Sequence, residues 1–245
     1  LTYSLSGTDA TSMSVNSSSG LLTFNSAPDY ETKSSYTATV TASDGANSAT
    51  QNITVNVTNV NDNAPSITSS ATFSAAENQT AIGTVTATDA DGDTVTYSLS
   101  GSDASSMSIN SSSGVLTFNS APDYETKSSY TATINVSDGT NSTSQGITVS
   151  VTNINDAPTI TSGSTFSAAE NQTSIGTVTA TDADGDVLTY SISGTDASSI
   201  IIDLSSGVLT FASAPDYETK TSYTAIVTAS DGTNSATQNI TVNVT

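Results

Sequence analysis

The chain has no cysteine, histidine, tryptophan or arginine among its 245 residues, and only 3 lysines against 23 acidic residues. Without cysteine, no disulfide holds the fold and thiolate metal sites are ruled out, while the redox compartment is left open. Without histidine or cysteine, the usual Ser–His and Cys–His nucleophile pairs cannot be built, so the chain reads as no enzyme. A pair of carboxylates acting on a glycoside is the one catalytic device left. The formal net charge of −20 repels phosphate backbones and anionic lipid, which excludes nucleic acid as a partner. No apolar run approaches the roughly twenty residues of a membrane-crossing helix, so no transmembrane segment is expected. The partners such a chain attracts are cations.

What is present is a block of about ninety-four residues that returns almost three times. Pro28-Asp29-Tyr30-Glu31 recurs as Pro122-Asp123-Tyr124-Glu125 and Pro215-Asp216-Tyr217-Glu218. Asp89-Ala90-Asp91-Gly92-Asp93 recurs as Asp182-Ala183-Asp184-Gly185-Asp186, and Ser43-Asp44-Gly45 as Ser137-Asp138-Gly139 and Ser230-Asp231-Gly232. Asn59-Val60-Asn61-Asp62-Asn63-Ala64-Pro65 recurs one residue shorter, as Asn153-Ile154-Asn155-Asp156-Ala157-Pro158. Outside these motifs and Glu77 and Glu170, the only acids are Asp9, Asp103, Asp196 and Asp203. The period divides the chain into copy one (residues 1–62), copy two (63–156) and copy three (157–245). Leu1-Thr2-Tyr3 aligns with Val95-Thr96-Tyr97. Copy one is therefore expected to be N-terminally truncated, with part of its core and a strand edge exposed, and the chain reads as a piece of something longer.

Between the acidic motifs, apolar and polar residues alternate with period two, as half-buried strands require. Seven strands are expected in copy two, near Thr72–Ala76, Ile82–Thr88, Val95–Ser100, Met107–Asn110, Val115–Asn119, Tyr130–Ser137 and Gln145–Asn153. Short strands punctuated by turns at this spacing predict an all-β fold of tandem seven-stranded Greek-key β-sandwiches. A disordered Ser/Thr-rich stalk would have no reason to alternate so regularly. No stretch carries a helical period over three turns.

Calcium takes six to eight oxygens from carboxylates, carbonyls and water, and Asp, Glu and Asn dominate the punctuated loops here. Magnesium, which keeps a compact octahedron with several waters, is the weaker candidate. A lone aspartate such as Asp138 or Asp123 can simply serve its turn. Three acids within Asp89–Asp93 repel one another, however, and with so little lysine only a cation neutralises them. An EF-hand is excluded, because the glycine stands fourth in the run instead of sixth and Ser100 stands where a glutamate is needed.

Taken in order, these motifs resemble those of a cadherin repeat: Ala76-Glu77-Asn78, Asp123-Tyr124-Glu125, the Asn61-Asp62-Asn63 linker, Asp89-Ala90-Asp91 and the late Asp138. The resemblance covers the whole chain and implies calcium held between successive copies. The first junction would use Asp29, Glu31, Asn61, Asp62, Asn63, Asp89, Asp91 and Asp138. The second would use Glu77, Asp123, Glu125, Asn155, Asp156, Asp182, Asp184 and Asp231. Glu170, Asp216 and Glu218 would belong to a third. Asn59 and Asn153 stand where the family usually has Asp, Ala157 replaces Asn63, and Asp93 and Asp186 are additional acids. The second junction is therefore expected to hold fewer or looser ions.

The resemblance further implies an extracellular segment of a cell-surface adhesion protein, rigidified by calcium, with other cadherin-like domains or surface glycans as partners and homophilic adhesion as a possible role. The low divergence of the copies resembles bacterial surface adhesins. With no tryptophan, adhesion by exchange of a tryptophan-bearing strand is not supported. The alternative is a calcium-dependent carbohydrate-binding module, but Tyr97 and Tyr130 fall at strand positions where packing against the core explains them better.

Overall fold

A computed structural model describes all 245 residues. The chain forms two compact units: Leu1–Ala75, Thr80–Ser120 and Ser129–Ser150 make one, and Ala76–Gln79, Ala121–Ser128 and Val151–Thr245 the other. Copy one supplies strands β1 (Thr2–Ser6), β2 (Met13–Val15), β3 (Leu22–Phe24), β4 (Ser35–Ser43) and β5 (Ser48–Asn56). Copy two supplies β6 (Ser66–Ile67), β7 (Thr72–Ala76), β8 (Ala81–Thr84), β9 (Ala87–Thr88), β10 (Thr96–Ser100), β11 (Met107–Ile109), β12 (Val115–Phe118), β13 (Ser129–Ser137) and β14 (Ser142–Thr152). Copy three repeats this set as β15 (Thr159–Ile160), β16 (Thr165–Ala168), β17 (Ser174–Thr177), β18 (Ala180–Thr181), β19 (Thr189–Ser193), β20 (Ile200–Ile202), β21 (Val208–Phe211), β22 (Ser222–Ser230) and β23 (Ser235–Val244).

Each complete copy is a sandwich of a four-stranded and a three-stranded sheet, in the order β16-β23-β22-β19 and β17-β21-β20 for copy three. Strand β16 runs parallel to β23, from Thr165 opposite Thr241 to Ala168 opposite Val244. The other strand pairs are antiparallel. Alternation buries one face of the long strands of copies two and three. In β23, Ile240, Val242 and Val244 point into a core that also holds Leu209, Phe211 and Val227, while the intervening polar residues face out. Burying a side chain of this size contributes roughly 1.5–3 kcal/mol. Tyr97 and Tyr190 are buried, and Phe118 meets Tyr130 edge-on at 4.9 Å, as core packing predicts.

Two local features depart from the expected strand list. The strand expected over Ile82–Thr88 breaks into β8 and β9, and β9 turns away to pair with β6, which carries no alternation long enough to be seen in sequence. The break falls at Val85, whose N–H donates to Gly114 O at 2.9 Å. Gly114 sits at φ +69°, and a Cβ there would lie 2.2 Å from Val85 O, so only glycine allows this approach. In addition, single 3₁₀ turns at Ala10–Ser12, Ala104–Ser106 and Ala197–Ser199 follow β1, β10 and β19. One turn is too short to leave a periodic trace.

Copy one has only the sheets β1-β4-β5 and β2-β3. Its counterparts of β6 to β9 are absent, and Leu22, Val40, Ile53 and Val55 stay part-exposed where Leu116, Ile134, Ile147 and Val149 are buried. Residues 1–62 therefore form a half-open sandwich.

Each lysine that pairs visibly does so inside its own copy. Lys33 Nζ pairs with Asp9 and lies 4.9 Å from the centre of the Tyr36 ring. Lys220 Nζ pairs with Asp196 at 2.5 Å and lies 4.6 Å from the Tyr223 ring. Asp9 and Asp196 also accept the Thr37 and Thr224 N–H groups, and with the lysine first among the causes, both acids are held below the usual carboxylate range. Asp9 and Asp196 thus brace a loop against the sheet.

Candidate metal centre

The acidic motifs fall at strand ends and in the turns between strands, where Asp and Asn accept backbone N–H groups. Asp29 Oδ1 accepts the N–H groups of Glu31 and Thr32 at 3.0 and 3.3 Å, which fixes the turn that carries Glu31. Asp138 Oδ1 does the same for Thr140 and Asn141 at 2.7 and 2.6 Å. One oxygen of each acid is spent on its loop. The other oxygen of Asp138 has no hydrogen-bond partner, whereas that of Asp29 accepts the Thr32 hydroxyl at 2.7 Å.

The first site lies wholly within one compact unit. Carboxylate oxygens of Glu31, Asp62 and Asp91 come within 4.8 Å of one another, and so do those of Asp89, Asp91 and Asp93. Asp91 joins the two groups. Its Oδ2 accepts the Asn63 and Asp62 N–H groups at 2.8 and 3.2 Å, and its Oδ1 accepts Asn63 Nδ2 at 3.0 Å. The Asn63 side chain is the first cause of a lowered Asp91 pKa. Loss of water pushes Glu31 upward, reinforced by Asp29 and Asp91. Asn141 Nδ2 bonds Asn61 Oδ1 at 2.9 Å, bringing the linker to the loop of Asp138. Every first-junction residue expected from the motifs is thus drawn to one region, with Asp29 held at its edge by Thr32.

The second site lies wholly within the other unit. Glu77 is 1% exposed. Its Oε2 accepts Tyr124 N–H at 2.8 Å and its Oε1 accepts Ile154 N–H at 2.6 Å. Glu77, Asp123 and Glu125 form one cluster and Asp182, Asp184 and Asp186 another. Glu125 is pushed upward by loss of water and then by Glu77, Asp184 and Asp123, so the two clusters feel each other. The shortened linker changes the middle of the site. Asp156 N–H still donates to Asp184 Oδ2 at 2.7 Å, but Asp156 Oδ1 takes Asn78 Nδ2 at 3.1 Å and joins neither cluster. Asn155 Nδ2 holds Asp231 Oδ2 at 2.9 Å. A third cluster, Glu170, Asp216 and Glu218, repeats the Glu77 arrangement, with Tyr217 N–H on Glu170 Oε2 at 3.2 Å.

Asn78, Asn141 and Asn234 take part in these sites although none was expected as a ligand; Asn141 and Asn234 lie outside every quoted motif, and Asn78 is the last residue of Ala76-Glu77-Asn78. Asn234 Nδ2 donates to Asn155 O at 2.9 Å. Their one sequence signal is position: Asn141 and Asn234 each stand three residues after a late aspartate, and Asn78 directly follows the buried glutamate.

The donor set suits a hard divalent cation, since all side-chain donors are oxygen from carboxylate or amide. Buried Oδ2 atoms of Asp89, Asp138 and Asp182 have no hydrogen-bond partner. A buried, unpaired carboxylate oxygen is costly unless something positive meets it.

The cadherin domain family model matches residues 70–152 and 164–245, and the chain belongs to that family. Human protocadherin Fat 4 is 36% identical over 143 residues, covering 54% of this chain and 3% of that protein. Mouse cadherin EGF LAG seven-pass G-type receptor 2 is 34% identical over 242 residues, covering 89% of this chain and 8% of that protein. This chain thus spans a small fraction of the relatives it matches. Among solved structures, mouse protocadherin-24 EC1-3 is 26% identical with a TM-score of 0.63, covering 100% of this chain and 90% of that one. Mouse cadherin-23 EC22-24 is 27% identical with a TM-score of 0.59, covering 100% and 86%. These are tandem cadherin domains of adhesion proteins, a structural family and not an enzymatic one, and the comparisons do not favour a carbohydrate-binding module.

Proposed function

We propose that this chain is a calcium-stiffened extracellular segment of a larger cell-surface adhesion protein, with the ions held where consecutive repeats meet. The observation that carries this reading is the convergence on Asp91. Glu31 comes from copy one, Asp62 from the linker and Asp91 from copy two, and their carboxylates meet within 4.8 Å with no lysine among them. Three negative groups so placed repel unless a cation neutralises them. Calcium bound there supplies that positive charge. The chain's own residues do the remainder: Glu31, Asp62, Asn63, Asp89, Asp91 and Asp138 would hold the first site, with Asn61 and Asp29 beside them. Glu77, Asp123, Glu125, Asp182, Asp184, Asp231, Asn155 and Asp156 would hold the second.

Without a cation the acids push the repeats apart, and with it they share one set of ligands, so the seam stiffens. At a site dissociation constant of about 10⁻⁴ M, millimolar calcium stabilises the bound form by about 1.4 kcal/mol per ion. Partners would be like domains on other molecules or surface glycans engaged by the wider protein.

Titration calorimetry combined with small-angle scattering tests this. Calcium is expected to bind with heat that Asp91→Asn removes at the first site, and chelator is expected to turn an extended scattering profile into that of a flexible chain. Scattering curves that coincide with and without calcium, alongside a flat titration, reject the reading.

A further inference from the structure

Lys33, Lys127 and Lys220 are the only basic side chains here, and each follows a ligand turn: Lys33 stands two residues after Glu31 and four after Asp29. Their backbones belong to those turns. Lys33 N–H donates to Asp29 O and Lys127 N–H to Asp123 O, both at 2.9 Å, and Lys220 N–H to Asp216 O at 3.0 Å. The side chains of Lys33 and Lys220 turn elsewhere. Lys33 Nζ pairs with Asp9 over the Tyr36 ring and Lys220 Nζ with Asp196 over the Tyr223 ring, each acid lying 24 residues earlier in the chain. These ammonium groups are neighbours of the carboxylate clusters in sequence, yet the acids they pair with belong to no cluster.

The acid partners are fixed by backbone. Asp9 N–H donates to Thr37 O at 3.1 Å and Asp9 Oδ2 accepts Thr37 N–H at 2.8 Å, so β4 holds the carboxylate with Oδ1 left for the lysine. Asp196 with Thr224 repeats both bonds at 3.1 and 2.8 Å, and so does Asp103 with Thr131. The lysines are held differently. The Lys33 side chain is 40% exposed against 10% for Asp9, so charge and the ring face, more than burial, keep it in place. Removing the acid's charge therefore frees the lysine, whereas removing the lysine leaves the acid where it is. A freed ammonium tethered two residues from Glu31 acts at a local concentration of about millimolar or more. What it would meet is the Glu31, Asp62 and Asp91 group, three carboxylates within 4.8 Å of one another with no lysine among them.

We propose that Asp9 and Asp196 are positioning residues of the acidic sites: by drawing Lys33 and Lys220 onto the sheet, they stop the chain's own ammonium groups from filling the neighbouring carboxylate clusters, which stay open to a divalent cation. The ion pair does more than brace a loop. An asparagine in place of Asp9 would still accept Thr37 N–H through its amide oxygen, but would carry no charge to hold the lysine. Lys33 would then serve as an internal counter-ion at Glu31, and calcium would have to displace it. That consequence for calcium rests on the calcium role proposed above. The lysine's choice of partner does not.

The test uses the full chain with Asp9→Asn alone and combined with Lys33→Met or Glu31→Gln, read first by NMR of the lysine Hε protons in chelator. Lys33 Nζ lies 4.9 Å from the Tyr36 ring centre, so the ring shifts its Hε resonance upfield in the parent chain. Asp9→Asn is expected to abolish that shift. Adding Glu31→Gln is expected to move the resonance again, because the lysine loses its new partner. Calorimetry is expected to show calcium at the first site weakened about threefold to tenfold by Asp9→Asn, and returned to parent strength by adding Lys33→Met. A bracing role alone would leave that double variant as weak as the single one, and this result overturns the proposal. So does a Lys33 resonance that stays upfield in Asp9→Asn, or one that Glu31→Gln does not move. A parent chain that takes up no calcium removes the calcium role, and the chelator spectra then support or overturn the lysine placement by themselves.

Discussion

The two acidic sites are built from one repeat, yet they solve the linker differently. At the first, Asn61-Asp62-Asn63 is long enough for Asn63 to clasp Asp91 with both its backbone and side-chain N–H groups, and Asp62 reaches the Glu31–Asp91 cluster. At the second, one residue is missing, Ala157 offers no amide, and Asp156 turns to Asn78 instead. At the second, Glu77 ties two backbone segments together through Tyr124 and Ile154. The linker is what differs between the two. A ligand list alone, which counts nearly the same oxygens at both, hides that difference.

The most damaging way to break the comparison is Glu77→Ala. It removes the acceptor of two part-buried hydrogen bonds, from the Tyr124 and Ile154 N–H groups, and a loss of about 1–3 kcal/mol in urea unfolding is expected even in chelator. Glu31→Ala, on an exposed residue with no such duty, is expected to alter calcium uptake and leave metal-free unfolding nearly unchanged. Next in size, Asp91→Asn is expected to weaken calcium at the first site by about tenfold or more, because Asp91 belongs to both clusters there. Calorimetry should show the second site unaffected. Inserting Asn between Asp156 and Ala157 tests the linker directly. It should free Asp156 from Asn78 and tighten the second site by about threefold to tenfold, and an unchanged isotherm would mean that linker length is not what separates the sites.

The smallest effect concerns a turn outside both. Asp203 accepts Ser206 and Ser205 N–H groups and both hydroxyls, which lowers its pKa to about 2, where copies one and two use neutral Asn16 and Asn110 in the same turn. A depressed acid contributes stability that is present above its ordinary value of 3.8 and is lost as pH falls toward about 2. Asp203→Asn should therefore leave the neutral-pH melting temperature of the chain within about 2 °C and flatten its fall between pH 4 and pH 2 by about the same amount. An unchanged acid limb would show that the turn is indifferent to its charge.

Much of the fold was legible because β-sandwich strands advertise themselves. Ile147, Val149 and Val151 alternate with polar partners and are buried in that order. The break at Val85 was not legible, since it depends on Gly114, distant in sequence, accepting a hydrogen bond from it. At the sites, the acids stood out against a nearly uncharged background, so Asp89, Asp91 and Asp123 could be picked from pattern alone. Asn141 and Asn234 could not. Asn is frequent throughout, and nothing local separates Asn141, which bonds Asn61, from Asn52, which bonds Thr39 on an exposed sheet face. The extents of the three copies remain a proposal from the period, with the family match falling inside copies two and three.

Residues 47–58, which include β5, and 234–245, which include β23, are identical, and this bears on how such a chain reaches its native state on the ribosome. Strands of equal sequence compete for the same neighbours, so a copy emerging early can capture a hairpin made for a later one, and misassembly between like domains is a known failing of tandem proteins. Copy three differs from copy two at Ile200-Ile201-Ile202 against Met107-Ser108-Ile109, and the more such differences accumulate at buried positions, the less two copies can exchange strands without a cost in packing.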